Sequence, residues 1–257
     1  MNLKININRN MSGHSKWANI KRRKGAQDAK RAKTFTKLIK ELTVASREGG
    51  PDPDANPRLR LAVQNAKGAN MPKDTIERAI NKGAGSDAEE YVEQTYEGYA
   101  PHGVAVFVEC TTDNLNRTVS NVRATFSKYG GNLGKKGEVE YMFDRKSVFI
   151  LKEPEGLDQD EFVLELIDAG AEDVEFEDGY AHITGSMEDF GNLQNKLDAM
   201  HLEPETAELQ RIPTTMVELD NEAVVKVMKL IEALEDDDDV AKVYHNMEIT
   251  EDQMELI

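Results

Sequence analysis

The stretch "EDVEFEDGYAHITG", residues 172–185, reads as a β-hairpin turning at Asp178-Gly179, because an Asp-Gly pair favours the inverse turns that match strand twist. Working outward, "DQDEFVLELIDAGA" (158–171) reads as an amphipathic helix and "SVFIL" (147–151) as a strand before it. On the other side, "MEDFGNLQNKLDAM" (187–200) reads as a helix and "ETAELQRI" (205–212) as a strand. The order β-α-β-β-α-β is a complete split-βαβ, ferredoxin-like unit.

The segments flanking this unit look like two halves of a second one. Before it come the β-branched run "GVAVFVEC" (103–110), the helix "NLNRTVSNVRATFSKYGG" (114–131) with Asn114 or Asn116 as cap, and a strand "EVEYMF" (138–143). Asp144-Arg145-Lys146 separates that strand from "SVFIL". After it come a short strand "TTMVELD" (214–220), the helix "NEAVVKVMKLIEALED" (221–236) and a last strand "VAKVYHNMEI" (240–249). Two sequential domains would each leave an incomplete sheet with an exposed edge, so pairing across an insertion is the preferred reading.

Residues 11–83 read differently, as helices. From Asp28, apolar residues at Phe35, Leu38, Ile39, Leu42 and Ala45 mark one helical face, stopped by Gly49-Gly50-Pro51. Asn56 as N-cap and Pro57 open a helix with Leu59, Ala62, Val63 and Ala66. A third follows Pro72, with Ile76, Ala79 and Ile80 inward and Gly83 as its natural end. The small, acidic stretch 84–90 reads as a linker. The fold class is therefore α+β multidomain: a helical unit at 11–83, a discontinuous ferredoxin-like unit at 84–143 plus 213–257, and an inserted one at 144–212.

Charge divides along the same lines. The chain has 257 residues and a formal charge of −16, yet residues 11–82 hold 17 Lys and Arg against 7 Asp and Glu. Residues 83–257 hold 13 against 41. A basic head on an acidic body points to a polyanion met by the head, with the body facing away. Residues 12–40 concentrate ten basic residues against one acid, Asp28. Lys30, Lys33, Lys37 and Lys40 share one helical face, away from the apolar stripe, which would make a cationic ridge suited to phosphates. Six phosphate contacts would give a log–log salt slope of about −5 on duplex DNA. Trp17 and His14 lie beside the charges, where either could stack on an unpaired base or serve locally, Trp17 in the core and His14 as a cap.

The stretch from Met11-Ser12-Gly13-His14-Ser15-Lys16-Trp17 through "KRRKGAQDAKRAKTFTKLIKEL" resembles the N-terminal signature of the YebC/PmpR family. The likeness continues in "NPRLRLAVQNAKGANMPKDTIERAINKG", "YEGYAPHGVAVFVECTTDNLNRTVSNVR" and "VYHNMEI". The resemblance implies three domains, the first helical, and a DNA-binding transcriptional regulator. Relatives that include a mitochondrial translational activator of cytochrome c oxidase imply ribosomal RNA as an alternative. The ten residues before Met11 lie outside the pattern, which suggests Met11 as the start.

The nucleic-acid contacts expected from these observations are His14, Lys16, Trp17, Lys21, Arg22, Arg23, Lys24, Lys30, Arg31, Lys33, Lys37 and Lys40. In "GGNLGKKGE" (130–138), Lys135 and Lys136 with the glycine amides offer a secondary phosphate contact, or else a plain loop; no Walker motif fits. A helix-turn-helix across 57–82 is disfavoured, because the second helix carries Asp74 and Glu77 and lacks side chains suited to base edges. Asp236–Asp239 reads as a solvated loop. Cys110 reads as a buried structural thiol and His102 as a turn residue, while His182, His201 and His245 share no ligand spacing. No nucleophile–base pair, metal site or cofactor loop is expected, so the chain reads as a non-enzymatic cytoplasmic regulator. A metal-dependent nuclease is the weaker alternative, and a purely protein-binding adaptor another. Expected partners are DNA or RNA, including rRNA, with transcription or ribosomal proteins, and no membrane.

Overall fold

The computed structural model describes residues 31–85 and 90–257. Three helices come first: α1 (Arg31–Gly49), α2 (Pro57–Gly68) and α3 (Lys73–Ala84). They pack around Leu42, Ala45, Leu59, Ala62, Ala66, Met71, Ile76 and Ala79, the stripes read from the sequence. Asn56 caps α2 by accepting from the Leu59 amide, and its amide group donates to the Ala45 and Gly50 carbonyls. One residue thus starts α2 and ties it to the end of α1.

Gly83 does not end α3, which runs on to Ala84. It is instead where α3 touches α1: a Cβ there would lie 2.3 Å from the Thr43 carbonyl oxygen. Thr43 and Ser46 bond across the same contact, to the carbonyls of Ala79 and Ile80. Gly83→Ala should therefore cost about 2 kcal/mol by forcing the helices apart. Thermal or urea unfolding measures this, and an unchanged midpoint would refute the close contact.

The remaining elements are β1 (Val92–Tyr99), β2 (Ala105–Thr112), α4 (Leu115–Lys128), β3 (Asn132–Leu133), β4 (Phe143–Lys152), α5 (Gln159–Asp168), β5 (Ala171–Glu177), β6 (Tyr180–Ser186), α6 (Phe190–Ala199), β7 (Thr206–Pro213), α7 (Asn221–Glu235), β8 (Val240–His245) and α8 (Glu251–Met254). They build two antiparallel sheets, ordered β3-β1-β2-β8 and β5-β6-β4-β7. The chain is thus an α+β protein with a helical N-terminal region. The second sheet has the split-βαβ order, and its hairpin turns at Asp178 (φ 51°) and Gly179 (φ 78°), the inverse geometry that Asp-Gly favours.

The first sheet repeats that layout with different strands. β2–α4–β3 matches β4–α5–β5 and α7–β8 matches α6–β7, so β8 joins its sheet from beyond the whole second sheet. The position of β6 is filled by β1, which precedes β2 in the chain and whose mostly polar sequence carries no strand pattern. The expected strand at 214–220 is a single parallel bridge, Val217 to Met247. The expected strand at 138–143 is mostly a 3-10 turn, Glu140–Met142, and β4 runs unbroken through Asp144-Arg145-Lys146. Those three charges look like a turn in sequence, but the ladder continues through them to Ile212, Arg211 and Gln210 of β7.

β2 is buried on both faces, as its continuous apolar run implies. Val106, Val108 and Cys110 face α4 and α7, against Val122, Phe126, Val227 and Ile231. Ala105 and Phe107 face Val139, Phe143 and Tyr244. The second core lies between β4, β6, β7 and the helices α5 and α6, with Phe149, Leu151, Ile183, Phe162 and Leu193. Leu61 of α2 packs against it, and Asn65 bonds both the amide and the carbonyl of Ala207 on β7. The carboxamide thereby takes a neighbouring strand's place along this sheet edge. Arg211 closes the seam between the sheets: its guanidinium lies 3.9 Å from the Phe107 ring centroid, and Nε donates to Glu109 at 3.0 Å.

Candidate nucleic-acid interface

Lys33, Lys37 and Lys40 do share one face of α1. That face meets the C-terminal end of α7 and the segment behind it. The Lys37 ammonium donates to the Glu235 carbonyl at 2.7 Å. Lys33 donates to the Asp236 carbonyl at 3.0 Å and lies 3.4 Å from its carboxylate. Lys40 donates to the carbonyls of Asp238 at 2.7 Å and Thr111 at 3.2 Å, and to Asp239 Oδ1 at 3.0 Å. The last carbonyls of a helix lack partners within it and carry its negative dipole end, so a row of ammonium groups caps them well.

This corrects two expectations. The three lysines are not a ridge turned to solvent with the acidic body clear of it; the body supplies their partners. Asp236–Asp239 is not simply a solvated loop, because Asp239 has a side chain only 5% exposed. Its carboxylate accepts from Arg117 Nε at 3.0 Å, Arg117 Nη2 at 2.7 Å, Lys40 at 3.0 Å and the Thr118 hydroxyl at 3.0 Å. Burial pushes the Asp239 carboxyl up, but these hydrogen bonds outweigh it and hold it below the usual carboxylate range. Burial also pulls the Lys37 ammonium down, with the charge of Glu235 opposing.

Arg117 and Asp239 went unrecognised in the sequence. The Asp113–Arg117 pair, four residues apart on α4, was a legible local signal, and it does form at 2.6 Å. Nothing in the sequence pointed from Arg117 to a carboxylate 122 residues away. A second tie between helices and first sheet is equally non-local. Arg58 of α2 bonds Glu41 and Glu48 of α1 and also Glu93 of β1; burial pulls its pKa down, but Glu41 and Glu93 outweigh that and raise it.

The glycine loop at 130–138 is not an amide cradle. Glu97, buried in β1, takes the amides of Gly137, Val139 and Glu140 at 2.6, 2.8 and 2.8 Å. The Lys135 amide bonds Glu138 at 2.7 Å. The side chains of Lys135 and Lys136 are exposed. The helix-turn-helix reading loses further ground. On α2, Gln64 and Asn65 are spent on Pro204 and Ala207, and on α3 Lys73 pairs with Glu77 at 3.6 Å.

His14, Lys16, Trp17, Lys21, Arg22, Arg23, Lys24 and Lys30 lie outside the described residues, as does the Arg31 side chain. Cys110 is buried, and its thiol is pushed up to about 12 by that burial, which makes it a poor nucleophile. His102 is exposed at φ 64° in the β1–β2 turn. Among the described residues no group of three His, Cys, Asp or Glu could hold a metal, and no helix is long and apolar enough to cross a membrane.

Comparison with known proteins gives a consistent result. Residues 15–86 match the model of the TACO1/YebC protein N-terminal domain, and residues 91–247 that of the TACO1/YebC second and third domain. A protein of Amoebophilus asiaticus, named a probable transcriptional regulatory protein, is 61% identical over 92% of this chain and 98% of its own. One of Geotalea uraniireducens with the same name is 50% identical over 95% of this chain and 99% of its own. The crystal structure of the conserved hypothetical protein Aq1575 from Aquifex aeolicus superposes with a TM-score of 0.77 at 46% identity, covering 87% of this chain and 93% of that one. The curated relatives' names describe a regulator, not an enzyme. With both of its parts matched by these models and half or more of its residues shared with such relatives, the chain belongs to the TACO1/YebC family.

Proposed function

We propose that this chain is a nucleic-acid-binding transcriptional regulator whose primary grip is the cation-rich run from His14 to Arg31. The helical unit (11–83) holds the phosphate backbone, and the α+β units (84–143 with 213–257, and 144–212) orient it. The single observation that carries this reading is the seven basic residues against one acid in residues 14–31 of a chain whose net charge is −16. Such a cluster repels itself without a polyanion. The relatives' names support a role in transcription. Backbone contacts of this kind position a protein without reading sequence, so base specificity is modest unless DNA shape or a partner supplies it.

The test is a salt titration of duplex DNA binding by the full chain and by a variant with Lys21, Arg22, Arg23 and Lys24 all changed to Gln. Removing four phosphate contacts should lower affinity at least tenfold and flatten the log–log salt slope by about 3 to 4. Equal binding by both proteins would end the reading. The same cations suit RNA, so crosslinking and sequencing of bound nucleic acid in cells decides between polymers. A predominance of rRNA would replace the transcriptional role with a translational one.

A further inference from the structure

We infer that the segment 235–239 is a built-in competitor for nucleic acid: it occupies Lys33 and Lys37 of α1, and a bound phosphate backbone gains those two lysines only by displacing it. This rests on the nucleic-acid reading above and adds its regulation.

The segment offers the lysines what a phosphate backbone offers. Carbonyls at the negative end of α7 and a line of carboxylates meet ammonium groups at positions 33, 37 and 40: Lys33 bonds Asp236, Lys37 bonds Glu235, and Lys40 bonds Asp238 and Asp239. The rungs differ in how firmly they are held. Lys33 is the outermost, with its side chain 42% exposed and that of Asp236 45% exposed. Such surface pairs contribute little and exchange readily. Lys37 hydrogen-bonds a neutral carbonyl; burial disfavours its charge and the nearby Glu235 carboxylate only opposes that from a distance, whereas a phosphate in the carbonyl's place would put an anion in hydrogen-bond contact. Lys40 is different: it is 12% exposed and bonded to the Asp239 carboxylate that Arg117 and Thr118 also hold.

Opening therefore proceeds from the Lys33 end and stops at Lys40. Lys33 lies next to the cation-rich run that ends at Arg31. A strand held on that run reaches the exposed rung first. The acidic segment lowers affinity for any passing polyanion and admits one that engages enough of the run to compensate, a form of discrimination by competition.

The experiment compares the full chain with Asp236→Asn/Asp238→Asn, two exposed positions whose backbone carbonyls remain in place. A labelled DNA duplex is titrated between about 50 and 200 mM salt. The expected result is about five- to tenfold tighter binding at the low end and a salt slope steeper by about 2, one unit for each lysine released. Asp160→Asn/Glu161→Gln on the exposed face of α5 removes the same charge far from the ladder and should change neither quantity. Adding DNA to the unaltered chain should also speed hydrogen exchange over residues 234–238. If both proteins bind with the same affinity and slope, or if the two double variants behave alike, the competitor is refuted while the nucleic-acid reading stands. If none of the proteins binds DNA or an RNA of equal length, the nucleic-acid reading itself is refuted, and the competitor with it.

Discussion

Asp239→Ala is expected to lower folding stability by about 3 kcal/mol, read as a shift in the urea midpoint. The carboxylate is nearly enclosed and takes hydrogen bonds from α1, through Lys40, and from α4, through Arg117 and Thr118. Its own amide bonds Asp237, and its carbonyl accepts from Thr111 of β2. Truncation leaves a largely covered ammonium at Lys40 and a guanidinium at Arg117 without their shared anion. Asp239→Asn keeps the shape and one acceptor, and should cost about half as much.

The acid dependence has a definite sign. A carboxyl held below its unfolded pKa of about 3.9 contributes stability that is fully present above that pH and is lost as pH falls through the native value. The unaltered chain should therefore lose stability below about pH 4 more steeply than Asp239→Asn does. Parallel curves for the two proteins would show that the carboxylate is not the hub the geometry describes.

Glu97→Ala should be comparably damaging, at about 3 kcal/mol. Its two oxygens hold three amides of the 137–140 segment, and Val139 from that segment fills the face of the first sheet opposite the helices. Removing the carboxylate strands those amides beside a packed valine. Glu97→Gln can still accept at one oxygen, but it turns an NH2 group toward an amide N–H, so roughly half the loss remains. Hydrogen exchange at Gly137, Val139 and Glu140 gives the local readout. Continued protection of those three amides in Glu97→Ala would show that the loop holds itself.

The two variants act on features of different visibility. Much of the second sheet was legible, because its signals are local. Asp178-Gly179 selects its own turn, and Asp158 caps α5 by bonding the Glu161 amide three residues on. Asn56 and Asn114 cap their helices in the same way. Strand β1 was illegible. "VEQTYEGY" is mostly polar, and Glu97 reads as a solvent-facing residue until the loop that needs its oxygens folds over it. Gly98 and Gly131 beside it permit that closeness: a Cβ at Gly98 would lie 2.4 Å from the Asn132 carbonyl, and one at Gly131 2.7 Å from that of Tyr99. The charged triplet at 144–146 misled in the opposite direction. It suggested a break where the backbone ladder, indifferent to side-chain charge at exposed positions, continues.

From its residues alone the chain settled its division into a basic helical head and an acidic α+β body, the spacing that sets Lys33, Lys37 and Lys40 on one face, and the turns and caps that start most elements. Each of these depends on neighbours within a few positions, where helix and strand periods act. Tertiary structure alone decided what those lysines face. Their partners are main-chain oxygens and the carboxylates of Asp236 and Asp239, most of them some two hundred positions away, brought there by β8 pairing with β2. Charge composition counts those acids as repelling whatever the head attracts. The fold instead brings them against the head, because a helix end with unfilled carbonyls and a row of ammonium groups satisfy each other at short range.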